Sequence, residues 1–138
     1  MRLKSLLLSL AGMAMALTAP ALAADPGVTD TEIKIGDVNI LTGPASFIGR
    51  AVSIGSKVAA AEINEAGGIN GRKIVIATED DGYVPARSFQ ALKKLIEVDG
   101  IFALNGTSGT ANVLAMLPLI EEHALPTVVT TTPTELVY

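Results

Sequence analysis

The stretch Glu62-Ile63-Asn64-Glu65-Ala66-Gly67-Gly68-Ile69-Asn70-Gly71-Arg72 decides the fold, because it ends a helix, turns and launches a strand within eleven residues. Upstream, Ala59, Ile63 and Ala66 recur at helical spacing. Gly67-Gly68 supplies the left-handed backbone that closes a helix, and Asn70-Gly71 is a turn dipeptide before the apolar run Ile74-Val75-Ile76-Ala77. The stretch is therefore the joint of a β-α-β unit.

Working outward, Ile33–Ile40 reads as a first strand, apolar enough to be covered on both faces. The helix between the strands is expected from about Phe47 to Ala66, with Val52, Ala59, Ile63 and Ala66 inward and Lys57, Glu62 and Glu65 in water. A second strand over Lys73–Thr78 gives way to the loop Glu79–Gly82. Pro85 then opens a second helix with Phe89, Leu92 and Ile96 as its buried stripe; Arg87, Lys93, Lys94 and Glu97 are solvated, and Asp99-Gly100 ends it. A short strand, Ile101–Leu104, is followed by a loop, Asn105–Thr110. A third helix runs to about His123, interrupted by Pro118, and a fourth strand covers Leu125–Thr130. Strands alternating with helices predict an α/β fold, a parallel sheet with flanking helices.

The amino terminus has a different character. Arg2 and Lys4 precede an apolar stretch, Ser5–Ala19, and Ala21-Leu22-Ala23 is a small-x-small site, the layout of a cleaved secretory signal peptide over residues 1–23. The apolar run falls short of the ~20 residues a spanning helix needs. Cleavage after Ala23 would leave residues 24–138 and, with Arg2 and Lys4 gone, shift the formal net charge from −4 to −6. An acidic surface offers no basic patch for nucleic acid. With no cysteine, the chain has neither disulfide nor thiolate metal site, and a single histidine gives no metal cluster. No cofactor is expected.

In open parallel sheets a ligand lies beyond the carboxyl ends of the strands. Four segments should meet there: Gly43–Gly49, Glu79–Gly82, Asn105–Thr110 and Thr130–Thr134. The third is the sharpest, since Thr107, Ser108 and Thr110 offer hydroxyls where the third helix offers free N–H groups and the positive end of its dipole, a combination suited to a carboxylate. The plain alternative is that these are ordinary cap and turn residues. Asp80 and Asp81 look like an acid pair, yet neighbours at a strand end point oppositely; tying the loop to backbone N–H groups suits them better. Gly55-Ser56-Lys57 has the wrong order for a phosphate loop, and no Gly-x-Gly-x-x-Gly follows the first strand. A nucleophilic triad lacks its partners, so the chain is not expected to be an enzyme.

Thr42-Gly43-Pro44, Glu62-Ile63-Asn64 through Gly71, and Asp80-Asp81 together resemble the periplasmic substrate-binding proteins of branched-chain amino acid (Leu/Ile/Val-type) ABC importers, over about Ile33–Leu136. The resemblance implies a type I periplasmic-binding fold in which two lobes close on a ligand, residues 24–138 being part of the first lobe and the sequence an amino-terminal fragment. It implies a small amino acid or related carboxylate as ligand, a membrane permease as partner, and a periplasmic location. By matching loops, Thr110 would bind the ligand carboxylate, Thr132 would add its hydroxyl and Thr130 its backbone carbonyl toward the ligand ammonium. Phe47 and Ile48 fall where the family sets an aromatic ring against the ligand's apolar part; stapling the first helix is an equal reading of Phe47. A single lobe should bind weakly or not at all. The rival readings are a ligand-sensing receptor or regulator of the same fold, taking an amide, urea or aromatic acid, and more remotely a nucleotide-binding α/β enzyme.

Overall fold

In the first strand, β1 (Glu32–Asn39), alternate side chains take opposite faces, and the two faces are chemically unlike. Val38 belongs to an apolar core with Leu92, Leu95, Leu104, Val113 and Met116, while Asp37 and Asn39 are buried on the other side. The computed structural model describes residues 25–131, the last three by their backbone alone. Its remaining elements are α1 (Ser46–Glu65), β2 (Lys73–Asp80), α2 (Pro85–Lys94), a π-helical turn at Leu95–Asp99, β3 (Ala103–Ser108), α3 (Thr110–Glu122) and β4 (Thr127–Thr131). The sheet is parallel throughout, in the order β2-β1-β3-β4. The α/β class expected from the sequence is the class observed.

The helices α2 and α3 pack together over the apolar face. Each large side chain fully buried there, such as Leu92 or Met116, contributes roughly 1.5–3 kcal/mol. Alone of the three helices, α1 covers the polar face. Its buried residues are Gly49, Ser53 and Ala60; Val52 is half-buried, and Ala59, Ile63 and Ala66, expected inward, are exposed. The correction has a physical cause. The sheet beneath presents Asp37, Asn39 and Asn105, and Asn105 Nδ2 donates to Ser56 Oγ at 3.0 Å, so the hydroxyl and small-residue side of the helix fits where its apolar side cannot. Ile54 and Val58 remain outward, 62% and 52% exposed.

The deciding stretch folds as read, with one addition. Gly68 has φ 77°, and a Cβ there would sit 2.1 Å from the Arg72 carbonyl oxygen, so only glycine makes the turn. The addition is Asn64: its Oδ1 accepts from the Ile74 N–H (2.7 Å) and its Nδ2 donates to the Ile74 carbonyl (2.8 Å), occupying both backbone groups on the open side of the edge strand β2.

Three strand limits need correction. Glu79 and Asp80, expected in a loop, extend β2, because Val38 and Asn39 opposite them keep the ladder running. The third strand is not Ile101–Leu104 but Ala103–Ser108, pairing with β4 through irregularities on either side of Thr107. Glycine and hydroxyl residues suggested a loop there, yet β4 supplies ladder partners for Asn105, Thr107 and Ser108, while β1 pairs with Ala103 and Leu104 at the start of the strand. The fourth strand begins at Thr127, with Leu125 buried ahead of it. Leu92 of α2 is buried, while Phe89 of α2 and Ile96 of the π-helical turn are half-buried against the core. Lys94, expected to be simply solvated, pairs with Glu79 and lies 3.6 Å from Asp99.

The carboxyl group of Asp37 is fully buried, and burial raises its pKa despite hydrogen bonds from Ser53, Asn39 and Thr78 and the charge of Lys57. A raised folded-state value means its contribution is most favourable below about pH 4 and is lost as pH rises through the folded pKa. Asp37→Asn, which removes the buried charge and keeps the shape, is therefore expected to stabilise the protein more at pH 7 than at pH 3. Urea unfolding at the two pH values reads the difference; equal effects at both would refute the assignment.

Candidate functional site

Three connections meet at the carboxyl edge of the sheet. The loop after β1 is fastened by Asp80: its carboxylate accepts from the Leu41 N–H (2.9 Å), the Thr42 N–H (3.3 Å), the Thr42 hydroxyl (2.7 Å) and the Gly82 N–H (2.9 Å), and pairs with Arg87 at 3.4 Å. Partial burial acts to raise its pKa, but these donors and the Arg87 charge outweigh it and hold it at about 2. The sign for a depressed carboxylate is fixed: its contribution is complete above about pH 4 and is lost as pH falls through about 2. After discounting for solvent screening, about 1–2 kcal/mol of stability should disappear in that window. Asp80→Asn should remove this acid-side slope, which urea unfolding between pH 2 and 5 measures.

The adjacent acid turns the other way. Asp81 is buried and accepts from the Tyr83 N–H (2.8 Å), the Ser88 hydroxyl (2.8 Å) and Asn112 Nδ2 (2.8 Å), joining the turn after β2 to the first turn of α3. The expectation that the two acids divide and tie backbone N–H groups agrees with this geometry.

That clamp sets Tyr83 beside α3. Tyr83 itself has φ 64°, left-handed backbone uncommon for a side-chain-bearing residue, held by the Asp81 contact. Its ring lies where a side chain at 109 would be: a Cβ on Gly109 would meet Tyr83 Cε2 at 2.6 Å. Between them opens a hollow of about 190 Å³ lined by Ile40, Ile48, Tyr83, Gly109 and Thr110. With glycine as its N-cap, α3 has no side-chain cap, and the N–H groups of its first turn are left for a ligand or water.

The residues singled out in the sequence are distributed as follows. Thr110 is the first residue of α3, half-buried, and lines the hollow with Ile48. Phe47 is 71% exposed in the first turn of α1 and is not among the lining residues. Thr107 and Ser108 lie buried in β3, and Ser108 Oγ donates to Asn39 Oδ1 at 3.0 Å, inside the sheet and α1 layer. Thr130 lies in β4, and Thr132 is outside the described residues. Reasoning from the sequence missed Tyr83, Ile40 and Gly109. The signal for the first and last was the pairing of a tyrosine just after the acid pair with a glycine just before a helix.

Among the described residues no cluster of His, Asp or Glu could hold a metal, and no helix is long and apolar enough to cross a membrane. A family model described as periplasmic binding protein matches residues 32–137. The chain is 37% identical over 105 residues to a Leu/Ile/Val-binding protein, BraC3, of Rhizobium johnstonii, an alignment covering 75% of this chain and 27% of that protein. Among solved structures it resembles an ABC-type branched-chain amino acid transporter protein from Rhodopseudomonas palustris, with TM-score 0.71, 29% identity, and 77% of this chain against 29% of that one. It also resembles a fatty acid ABC transporter substrate-binding protein from Thermomonospora curvata, with TM-score 0.68, 29% identity, and coverages of 76% and 26%. The chain thus spans little more than a quarter of the length of the relatives it matches.

Proposed function

The chain belongs to the periplasmic binding protein family, and from that premise we propose that it forms part of the first lobe of an extracytoplasmic solute-binding protein serving an ABC importer. Its solute is a branched-chain amino acid or a related small carboxylate, held in a cleft between two lobes and handed to a membrane permease without chemical change. Residues 1–23 direct export and are cleaved after Ala23, so the working form is periplasmic.

The observation that carries this reading is the uncapped start of α3 beside apolar walls. A carboxylate placed there accepts from the free N–H groups and from the Thr110 hydroxyl, with the helix dipole favouring its charge. Ile40, Ile48 and the ring of Tyr83 then face the hydrocarbon part of the ligand. Thr132 adds a hydroxyl, and the carbonyl of Thr130 takes the ammonium. Ser108 and Thr107 act from beneath, Ser108 by fixing the end of β3 to Asn39. Phe47, exposed at the rim, meets the ligand when the second lobe closes over it.

The test grafts residues 25–138 in place of the matched segment of the Rhizobium relative and titrates the folded chimera with leucine, valine and benzoate by calorimetry. Binding of an aliphatic amino acid is expected, and Thr110→Ala should weaken it about tenfold or more, the worth of a hydrogen bond to a charged group. A folded Thr110→Ala chimera that binds as tightly as its parent defeats the assignment of this site.

A further inference from the structure

The opposite edge of the sheet, where strands begin and helices end, holds a cavity of about 630 Å³, within the range of small-molecule pockets. Ile101 and Leu125 form its buried floor, Ile96 and Phe102 its walls, and Asp25, Glu97 and His123 its exposed rim.

Two backbone irregularities converge on it. Ile96 and Glu97 come from the π-helical turn Leu95–Asp99, an arrangement concentrated at functional sites. Ala124 has φ 46° where helices ordinarily end in glycine, its N–H bonded to the Glu121 carbonyl (3.1 Å) and that of Leu125 to Ile120 (2.9 Å). Alanine carries strain there that glycine would not, and it lines the cavity.

The lining of the cavity includes the acids Asp25 and Glu97 and no lysine or arginine. Helix carboxyl ends are partially negative, and both α3 and the π-helical turn finish here. The turn meets an internal cation, since Lys34 Nζ donates to the Asp99 carbonyl at 2.7 Å. The last turn of α3 contains no basic residue and closes on Glu121 and Glu122, with His123 as its C-cap at the rim. The rim adds Asp25 and Glu97, the latter only 3.7 Å from the exposed Lys93.

We propose that this cavity is a second ligand site, separate from the one at the carboxyl edge, taking a small organic cation. The hydrocarbon body rests on Ile101 and Leu125, and the ammonium group lies at the rim against Asp25, Glu97 and the end of α3.

The experiment titrates the whole chain at pH 8 with phenethylammonium, and with 3-phenylpropionate as the anion of similar shape, following the methyl signals of Ile96, Ile101 and Leu125 by NMR. Saturable shifts are expected there with the ammonium and not at Ile40 or Ile48, at an affinity about tenfold or more above that of the carboxylate. Combining Asp25→Asn with Glu97→Gln should cut the ammonium affinity about fivefold, and Ala124→Leu, which fills the cavity, should abolish the shifts. Equal affinity for the two probes, no saturable shift by roughly 20 mM, or unchanged binding by the charge-neutral variant overturns the proposal. Since the charge-neutral variant changes only exposed residues, it decides the matter even if Ala124→Leu fails to fold.

Discussion

Asp81→Ala is expected to lower the free energy of unfolding by about 3 kcal/mol. Removing this buried carboxylate takes an acceptor from the Tyr83 N–H, the Ser88 hydroxyl and Asn112 Nδ2. Two effects act against the loss: a buried charge is removed, and Ser88 Oγ keeps its contacts to the Val84 carbonyl at 3.3 Å and to Asn112 Nδ2 at 2.8 Å. Neither restores the Tyr83 N–H, so the turn after β2 loses what holds it in left-handed backbone. Urea unfolding followed by circular dichroism measures the change, and proton exchange of the Tyr83 amide should quicken with it. A loss below about 1 kcal/mol would mean that water or neighbours satisfy the donors, and that the clamp is not what positions Tyr83.

The second large effect is steric. Gly49 lies inside α1, where alanine would ordinarily gain about 1 kcal/mol of helix propensity. A Cβ at 49 would, however, sit 2.3 Å from the carbonyl oxygen and 2.5 Å from the nitrogen of Ile40, and backbone atoms cannot swing aside as a side chain can. Overpacking of this kind costs about 3 kcal/mol, so Gly49→Ala should be destabilising by about 2 kcal/mol net. The helix must shift away from β1, and Ile48 moves out of the hollow with it. Neutral or stabilising behaviour in the same unfolding experiment would show that α1 does not approach β1 this closely.

Much of the architecture was legible because it depends on local rules. The glycines and asparagines of the Glu62–Arg72 stretch allow one chain path, Pro85 begins α2, Gly100 ends the turn after it, and alternation of strand and helix implies a parallel sheet. The limits of β2 and β3 were less legible: Glu79-Asp80 and Asn105–Ser108 have loop composition, and their strand conformation comes from ladders with neighbours distant in sequence. The face of α1 was misread for a related reason. Apolar spacing picks the buried side of a helix only when the surface it meets is apolar, and here Asp37, Asn39 and Asn105 make it polar.

The candidate site divides along the same line. Thr110 and Ile48 could be named from loop position and residue type, and both line the hollow. Nothing local marked Tyr83, whose place depends on Asp81 reaching α3 and on the missing side chain of Gly109. By itself the sequence determined the order of elements, the parallel sheet and the family, because turn chemistry and hydrophobic period act within a few residues. Only the tertiary structure decided which face of α1 is buried, which acid serves which loop, and which side chains share the hollow, because those follow from contacts between residues 30 to 70 positions apart in the chain, as Asp80 with Leu41, Asp81 with Asn112 and Ser108 with Asn39 show.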